Sequence, residues 1–212
     1  MNVEEALPAT ESERRGIADL LAGLDESEWA AESLCAGWTV RDVAAHLTLA
    51  TRMTMVGAVL GLVRARGNLD RLIADSAVQH ARETTPDGLV AQLREHATST
   101  RRPPGTKVWD PLVDLLVHGQ DIARPLGRER AMPLDRTVGG LTHVWSTWTY
   151  GTLKRFAGLR FAATDADWSA GEGTDLVTGP ASELLLLSTG RRIGLDGLTG
   201  AGVPEARRRL DA

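Results

Sequence analysis

The sequence predicts a mainly α protein, in which a helical bundle is followed by a small α/β region. Before residue 158, apolar residues recur at the three- and four-residue spacing that is typical of helices with one buried face. After residue 158, the pattern changes to short alternating segments that are separated by glycines, as expected for strands and turns. Hydrophobic residues make up 42% of the 212 residues, which is enough apolar mass to form a core.

Two helices are predicted in the first third of the chain. Aliphatic residues between positions 17 and 24 share one helical face, which places the first helix over residues 9–24. The second helix begins after Thr39, whose hydroxyl can cap it, with Asp42 completing a pattern that resembles a capping box. We interpret residues 43–63 as one long buried helix. Arg52 excludes a membrane span, since a mid-span arginine costs roughly 3 kcal/mol.

Four further helices follow in the predicted bundle. A weaker pattern indicates a helix over residues 69–83. Pro86 and Pro111 each suit the first turn of a helix and mark the next two starts. Asp135 is a candidate cap for a last helix, which we expect to include Trp148.

The remaining chain predicts a small domain of mixed structure. Residues 159–163 and 175–178 are candidate strands, and residues 181–189 form a short apolar helix. We therefore assign residues 1–155 to the helical bundle and residues 156–212 to a C-terminal α/β domain. So small a domain buries little surface by itself, so we expect it to pack on the bundle.

Composition excludes several classes of function. Lys and Arg number 24 against 28 Asp and Glu, so the chain has no basic footprint for nucleic acid. The single cysteine, Cys35, excludes a disulfide framework and favours a reducing compartment. The acidic first residues differ from the basic start of a signal peptide. We expect a soluble cytoplasmic protein, monomeric or homodimeric, with no nucleic-acid or membrane partner.

The helix that begins near Pro111 carries an ionisable stripe. At about 100° per residue, Asp114, His118 and Asp121 share one narrow face, whereas the rest of the helix is almost entirely apolar. A helix that is apolar on all sides is buried, so the charged stripe needs partners. Asp114 and His118 are spaced to bind one cation, or to form only an ion pair that faces a polar cavity.

His46 offers a further ligand. It lies on the apolar face of its helix, where an isolated histidine is usually a hydrogen-bonded core residue. Together with Asp114 and His118, however, it would provide two imidazoles and one carboxylate, the ligand set of a catalytic divalent site with an open position. These ligand types favour Zn²⁺, with Ni²⁺ or Fe²⁺ as alternatives.

Two segments resemble the signatures of a known family. Residues 34–47 (LCAGWTVRDVAAHL) strongly resemble the signature of the mycothiol-dependent maleylpyruvate isomerase family, which belongs to the DinB-like superfamily. Residues 114–123 (DLLVHGQDIA), followed by Gly127, resemble its second signature, and residues 158–210 resemble its small C-terminal domain. The resemblance implies a DinB-like antiparallel four-helix bundle followed by a small α/β domain.

The same resemblance implies a metal- and thiol-dependent enzyme. His46, Asp114 and His118 take the places of the family's metal ligands, although the family usually has Glu where this chain has Asp114. The implied activity is isomerisation or thiol transfer on a small electrophile, expected to be a carboxylate, with mycothiol as cosubstrate and its metal-bound thiolate as the nucleophile. Two alternatives use the same site: a non-catalytic module that binds metal or small molecules, and a metal-dependent hydrolase.

Four other residues have two interpretations each. Asp121 would orient His118 or an incoming group, or else form an ion pair with Arg124 on the same helix. Arg191 and Arg192 could hold a substrate carboxylate, or be solvated at the surface. Cys35 precedes a helix, where a thiol is acidified, but we expect it to be a buried, unreactive residue.

Overall fold

The computed structural model describes residues 3–211 and confirms a mainly α fold with one small sheet. The chain divides into two compact units, the first ending at Arg130 and the second beginning at Ala131.

In the described part of the first unit, the regular elements are helices, together with one isolated β-bridge between Glu32 and Thr39. Its core lies where α1 packs on α6 and α7, and where α3 packs on α5, α6 and α7. Ile17, Val43, Leu89 and Ile122 are fully buried in this core. The helix starts predicted at Pro86 and near Pro111 are confirmed, whereas α2 was not predicted. The helices are α1 (Val3–Ala22), α2 (Glu26–Ala30), α3 (Val40–Leu49), α4 (Met55–Arg64), α5 (Leu69–Glu83), α6 (Pro86–Glu95) and α7 (Asp110–Ala123).

The prediction of one long buried helix over residues 43–63 is wrong. α3 ends at Leu49, and α4 begins only at Met55, where the Thr54 hydroxyl accepts a hydrogen bond from the amide of Gly57 at 3.1 Å. Threonines in this stretch bond to nearby backbone groups, which favours a cap over a continuous helix. α4 buries none of its residues, and Val63 is 71% exposed. An apolar run therefore did not imply burial.

No described helix combines the length and the hydropathy that crossing a bilayer requires.

The predicted cap of α3 is present in full. The amide of Asp42 donates to the Thr39 hydroxyl at 3.3 Å, and the Asp42 carboxylate accepts from the Thr39 amide at 2.9 Å. This reciprocal pair satisfies two backbone amides that have no partner within the helix. It therefore secures the start of the helix that carries His46.

Replacing Thr39 by Ala is expected to destabilise the first unit by about 1 kcal/mol, because a helix with a buried face loses its cap. Urea denaturation followed by circular dichroism would measure the change. Thr54→Ala is the matched control, since Thr54 also caps a helix, but α4 buries no residue. An equal loss of stability in the two variants would contradict this argument.

The second unit combines helices with a three-stranded sheet. β1 lies in the centre, antiparallel to β2 and parallel to β3, and Phe161 on β1 is opposite both Ala170 and Val177. The strands predicted over residues 159–163 and 175–178 and the helix predicted over 181–189 are confirmed, whereas β2, α9 and α11 were not predicted. The elements are α8 (Leu134–Ser146), α9 (Thr152–Arg155), β1 (Leu159–Ala163), β2 (Ser169–Ala170), β3 (Asp175–Gly179), α10 (Ala181–Ser188) and α11 (Val203–Leu210).

α8 packs within the second unit. The Trp145 indole on α8 donates a hydrogen bond to the Ser188 hydroxyl on α10 at 3.0 Å, and its ring centroid lies 4.8 Å from that of Phe161. These long-range contacts group residues 131–155 with the sheet, whereas the predicted division between residues 155 and 156 grouped them with the bundle.

Two expectations about the ends of α8 are wrong. Pro133 occupies the cap position, and no side chain caps the helix, so Asp135 is a residue of its first turn. Trp148 lies beyond the end of α8, in a short 3₁₀ turn, and is 83% exposed.

Candidate metal centre

Three predicted ligand side chains converge between α3 and α7. His46 lies in the last turn of α3, and Asp114 and His118 lie one turn apart on α7. One potential ligand atom from each of the three residues lies within 4.8 Å of the others. The rings of the two histidines are 4.9 Å apart between centroids, and their planes are inclined at 69°. The packing of α3 on α7 thus brings together residues that are far apart in the sequence.

The distances within this group suit a bound cation. The Asp114 carboxylate lies with one oxygen 3.4 Å from His46 Nε2 and the other 3.3 Å from His118 Nε2. Both distances exceed the ~2.9 Å of a well-formed N–H···O hydrogen bond. Two ligands at ~2.0–2.1 Å from a tetrahedral ion lie ~3.3–3.4 Å apart. The group therefore has the spacing of ligands around one ion, and its two nitrogens and one carboxylate are donors that Zn²⁺ accepts.

The charges of the three side chains depend on each other. Burial disfavours the charged Asp114 carboxylate, but electrostatic interactions with the His46 and His118 imidazoles outweigh this effect and hold the pKa of Asp114 well below its ordinary value. For His118, desolvation lowers the pKa, but the Asp114 charge and the polar contacts with Asp114, Asp121 and Cys35 raise it well above its ordinary value. The metal-free site therefore combines an ionised carboxylate with a protonated His118.

This protonation predicts that metal binding releases a proton. A metal binds neutral imidazole, so an ion at His118 Nε2 must displace a proton that the raised pKa keeps in place at neutral pH. Asp114 is already ionised and releases none. We expect metal affinity to rise with pH up to the raised pKa of His118, with release of about one proton per ion. Calorimetric titration with Zn²⁺ in buffers of different ionisation enthalpy measures this proton. Identical apparent enthalpies in all buffers would contradict the prediction.

The same pKa shift contributes to the pH dependence of stability in the metal-free protein. Because the pKa of His118 is higher in the folded state, its contribution to stability is fully present below ~6.5 and is lost as the pH rises through the folded-state value.

Asp121 contacts Nδ1 of His118, the ring nitrogen that does not face Asp114. One carboxylate oxygen accepts a hydrogen bond from His118 Nδ1 at 2.8 Å, and the Asp121 side chain is fully buried. The Arg124 guanidinium donates to the side-chain oxygen of Gln120 at 2.9 Å. The geometry of Asp121 is that of a carboxylate that fixes the tautomer of a metal-binding histidine.

The turn between α2 and α3 brings two more side chains to this site. Cys35 Sγ lies 3.2 Å from an Asp121 oxygen and 3.6 Å from His118 Nδ1. The Trp38 ring lies 5.5 Å from that of His46, between centroids. Cys35 is only partly buried, so the expectation of a buried residue is wrong. Sequence reasoning did not connect Cys35 with α7, although it lies within the first signature segment.

The two predicted substrate-binding arginines lie in the second unit. The Arg191 guanidinium donates to the backbone oxygen of Thr189 at 2.9 Å. The Arg192 guanidinium forms an ion pair with Asp211, and its side chain is about half exposed. Their role towards a substrate stays a prediction.

Comparisons with known proteins find a match to one family model and a similar fold. Residues 10–104 match the model of the mycothiol maleylpyruvate isomerase N-terminal domain, a segment that includes Cys35 and His46 and ends before α7. The structure is similar to the crystal structure of a mycothiol-dependent maleylpyruvate isomerase, with a TM-score of 0.65 and 16% identity over 95% of this chain and 93% of that chain. The structure is also similar to the crystal structure of a histidine-to-alanine mutant of such an isomerase, with a TM-score of 0.64 and 17% identity over 95% of this chain and 93% of that chain. No curated protein matches the sequence.

Proposed function

We propose that the chain is a metal- and thiol-dependent isomerase or thiol transferase, a proposal supported by the match of residues 10–104 to the mycothiol maleylpyruvate isomerase N-terminal domain. Its substrate would be a small electrophile with an activated double bond, such as the maleylpyruvate of the structural relatives, and mycothiol would be the cosubstrate. The sulfur would add to the double bond, permit rotation about the resulting single bond and leave again, so that isomerisation consumes no thiol. In thiol transfer, the sulfur would stay on the product.

The observation that carries the proposal is the convergence of His46, Asp114 and His118. These three residues would hold a divalent ion, with Zn²⁺ as the expected metal. Such an ion supplies a thiolate at neutral pH by lowering the pKa of a thiol that it coordinates. Three protein ligands leave a fourth position for that thiol.

The surrounding residues would keep these ligands in place. Asp121 accepts from His118 Nδ1, which leaves Nε2 as the nitrogen that faces Asp114. The Trp38 ring lies against His46 and would limit rotation of that imidazole.

We retain Arg191 and Arg192 as the proposed ligands of a substrate carboxylate. The cytoplasm is the proposed location, because thiols stay reduced there.

The test is to assay the zinc-loaded protein with maleylpyruvate in the presence and absence of mycothiol. We expect the cis isomer to be converted only when both the metal and the thiol are present. Turnover by water without thiol would favour a hydrolase instead. Stoichiometric metal binding with no turnover of any activated double bond would favour a binding module.

A further inference from the structure

The turn of residues 33–38 is closed on itself and fastened to α7. The Ser33 amide and hydroxyl both donate to the Trp38 backbone oxygen, at 2.9 and 2.8 Å. The Cys35 amide donates to the Ser33 hydroxyl at 3.1 Å. The Leu34 amide donates to the backbone oxygen of Asp121 at 3.1 Å. The backbone of the turn thus has a defined position against the helix that carries two of the proposed ligands.

This placement directs the Cys35 thiol at the buried carboxylate behind His118. The Asp121 oxygen that lies 3.2 Å from Cys35 Sγ is the one that accepts from His118 Nδ1 at 2.8 Å. A carboxylate can only accept, so the thiol is the donor of this contact. One oxygen therefore receives two hydrogen bonds, one from the turn and one from the imidazole.

The distances distinguish this cluster from a second metal site. Cys35, His118 and Asp121 are ligand types that could hold an ion. However, the 2.8 Å between His118 Nδ1 and Asp121 is a hydrogen-bond distance and is shorter than the ~3.3 Å between two ligands of one tetrahedral ion. The cluster is therefore a hydrogen-bonded support behind the candidate metal centre.

We propose that Cys35 is a positioning residue of the metal centre, an inference that rests on the proposed function. By donating to Asp121, its thiol holds the carboxylate in the orientation that accepts from His118 Nδ1. That orientation directs Nε2 at the position shared by Asp114 and His46. Cys35 acts as a thiol donor in this arrangement, and the reacting sulfur belongs to the external thiol.

The test compares three variants with the parent protein. In Cys35→Ala, Asp121 loses the hydrogen bond from the turn, and we expect the dissociation constant for Zn²⁺ to rise about tenfold or more, as outer partners of ligating histidines typically contribute. The absorption spectrum of the Co²⁺-loaded protein should change as well, because the imidazole orientation changes. Cys35→Ser retains a hydrogen-bond donor, so it should restore the dissociation constant for Zn²⁺ and the Co²⁺ spectrum towards those of the parent. Ala36→Ser, at an exposed position of the same turn, is the matched control and should change neither.

The outcomes separate this inference from the proposed function. A parent that binds no divalent metal refutes the metal centre, and the role of Cys35 with it. If the parent binds Zn²⁺ and Cys35→Ala binds it equally well with an unchanged Co²⁺ spectrum, only the role of Cys35 is refuted. Thermal unfolding of the metal-free variants shows whether a weaker affinity merely reflects a less stable fold.

Discussion

Asp114→Ala is expected to lose its metal. Both oxygens of the carboxylate lie 3.3–3.4 Å from imidazole nitrogens, so its removal leaves two ligands of the proposed three. Substitutions in the outer partners of such ligands already weaken binding by 10–100-fold, so we expect a loss of more than about 100-fold here. Metal analysis of the purified protein and titration with Zn²⁺ against a chromophoric chelator measure it.

Two further variants control this experiment. Asp114→Glu should retain the metal, because Glu keeps the charge and is the residue that the family usually has at this position. Asp75→Ala removes a carboxylate that is 68% exposed and paired with Arg71, and it should leave the metal content unchanged. Equal metal in all variants and the parent would remove Asp114 from the site. Asp114 would then be an ion-pair partner of the histidines, which affects stability.

His46→Ala is expected to abolish thiol-dependent isomerisation, with a fall in kcat/KM of more than about 100-fold. His46 is the proposed ligand on α3, and its loss leaves Asp114 and His118 on a single helix. The fold should persist, since the His46 side chain is 19% exposed and α3 is anchored by other residues. The assay with mycothiol and maleylpyruvate measures the rate, and circular dichroism confirms the helix content.

His80→Ala is the matched histidine control. His80 is half-buried on α5, where its ring contacts the side-chain oxygen of Gln92 at 2.8 Å and the Thr84 hydroxyl at 3.3 Å. It belongs to neither of the ligand groups found among the described residues. Its removal should therefore leave turnover intact and at most lower stability. Activity that survives in His46→Ala but not in His80→Ala would overturn the assignment.

The local features of the fold could be predicted from the sequence. The capping box of Thr39, the starts of α6 and α7 and the strands β1 and β3 depend on residues within a few positions of each other. The shared face of Asp114 and His118 follows in the same way from the helical repeat. Burial could not be predicted so simply. α4 is as apolar as a core helix, but it is exposed, because burial depends on which neighbours pack against a helix.

The sequence by itself determined the candidate ligand types, the helices that carry them and the match of residues 10–104 to a family model. Only the tertiary structure decided that His46 and His118 lie side by side, that α8 packs on α10, and that Cys35 contacts Asp121. The physical reason is the range of the interactions. Helix periodicity and capping act over three or four residues, whereas Cys35 and Asp121 are 86 positions apart and meet only because α3 and α7 share one core.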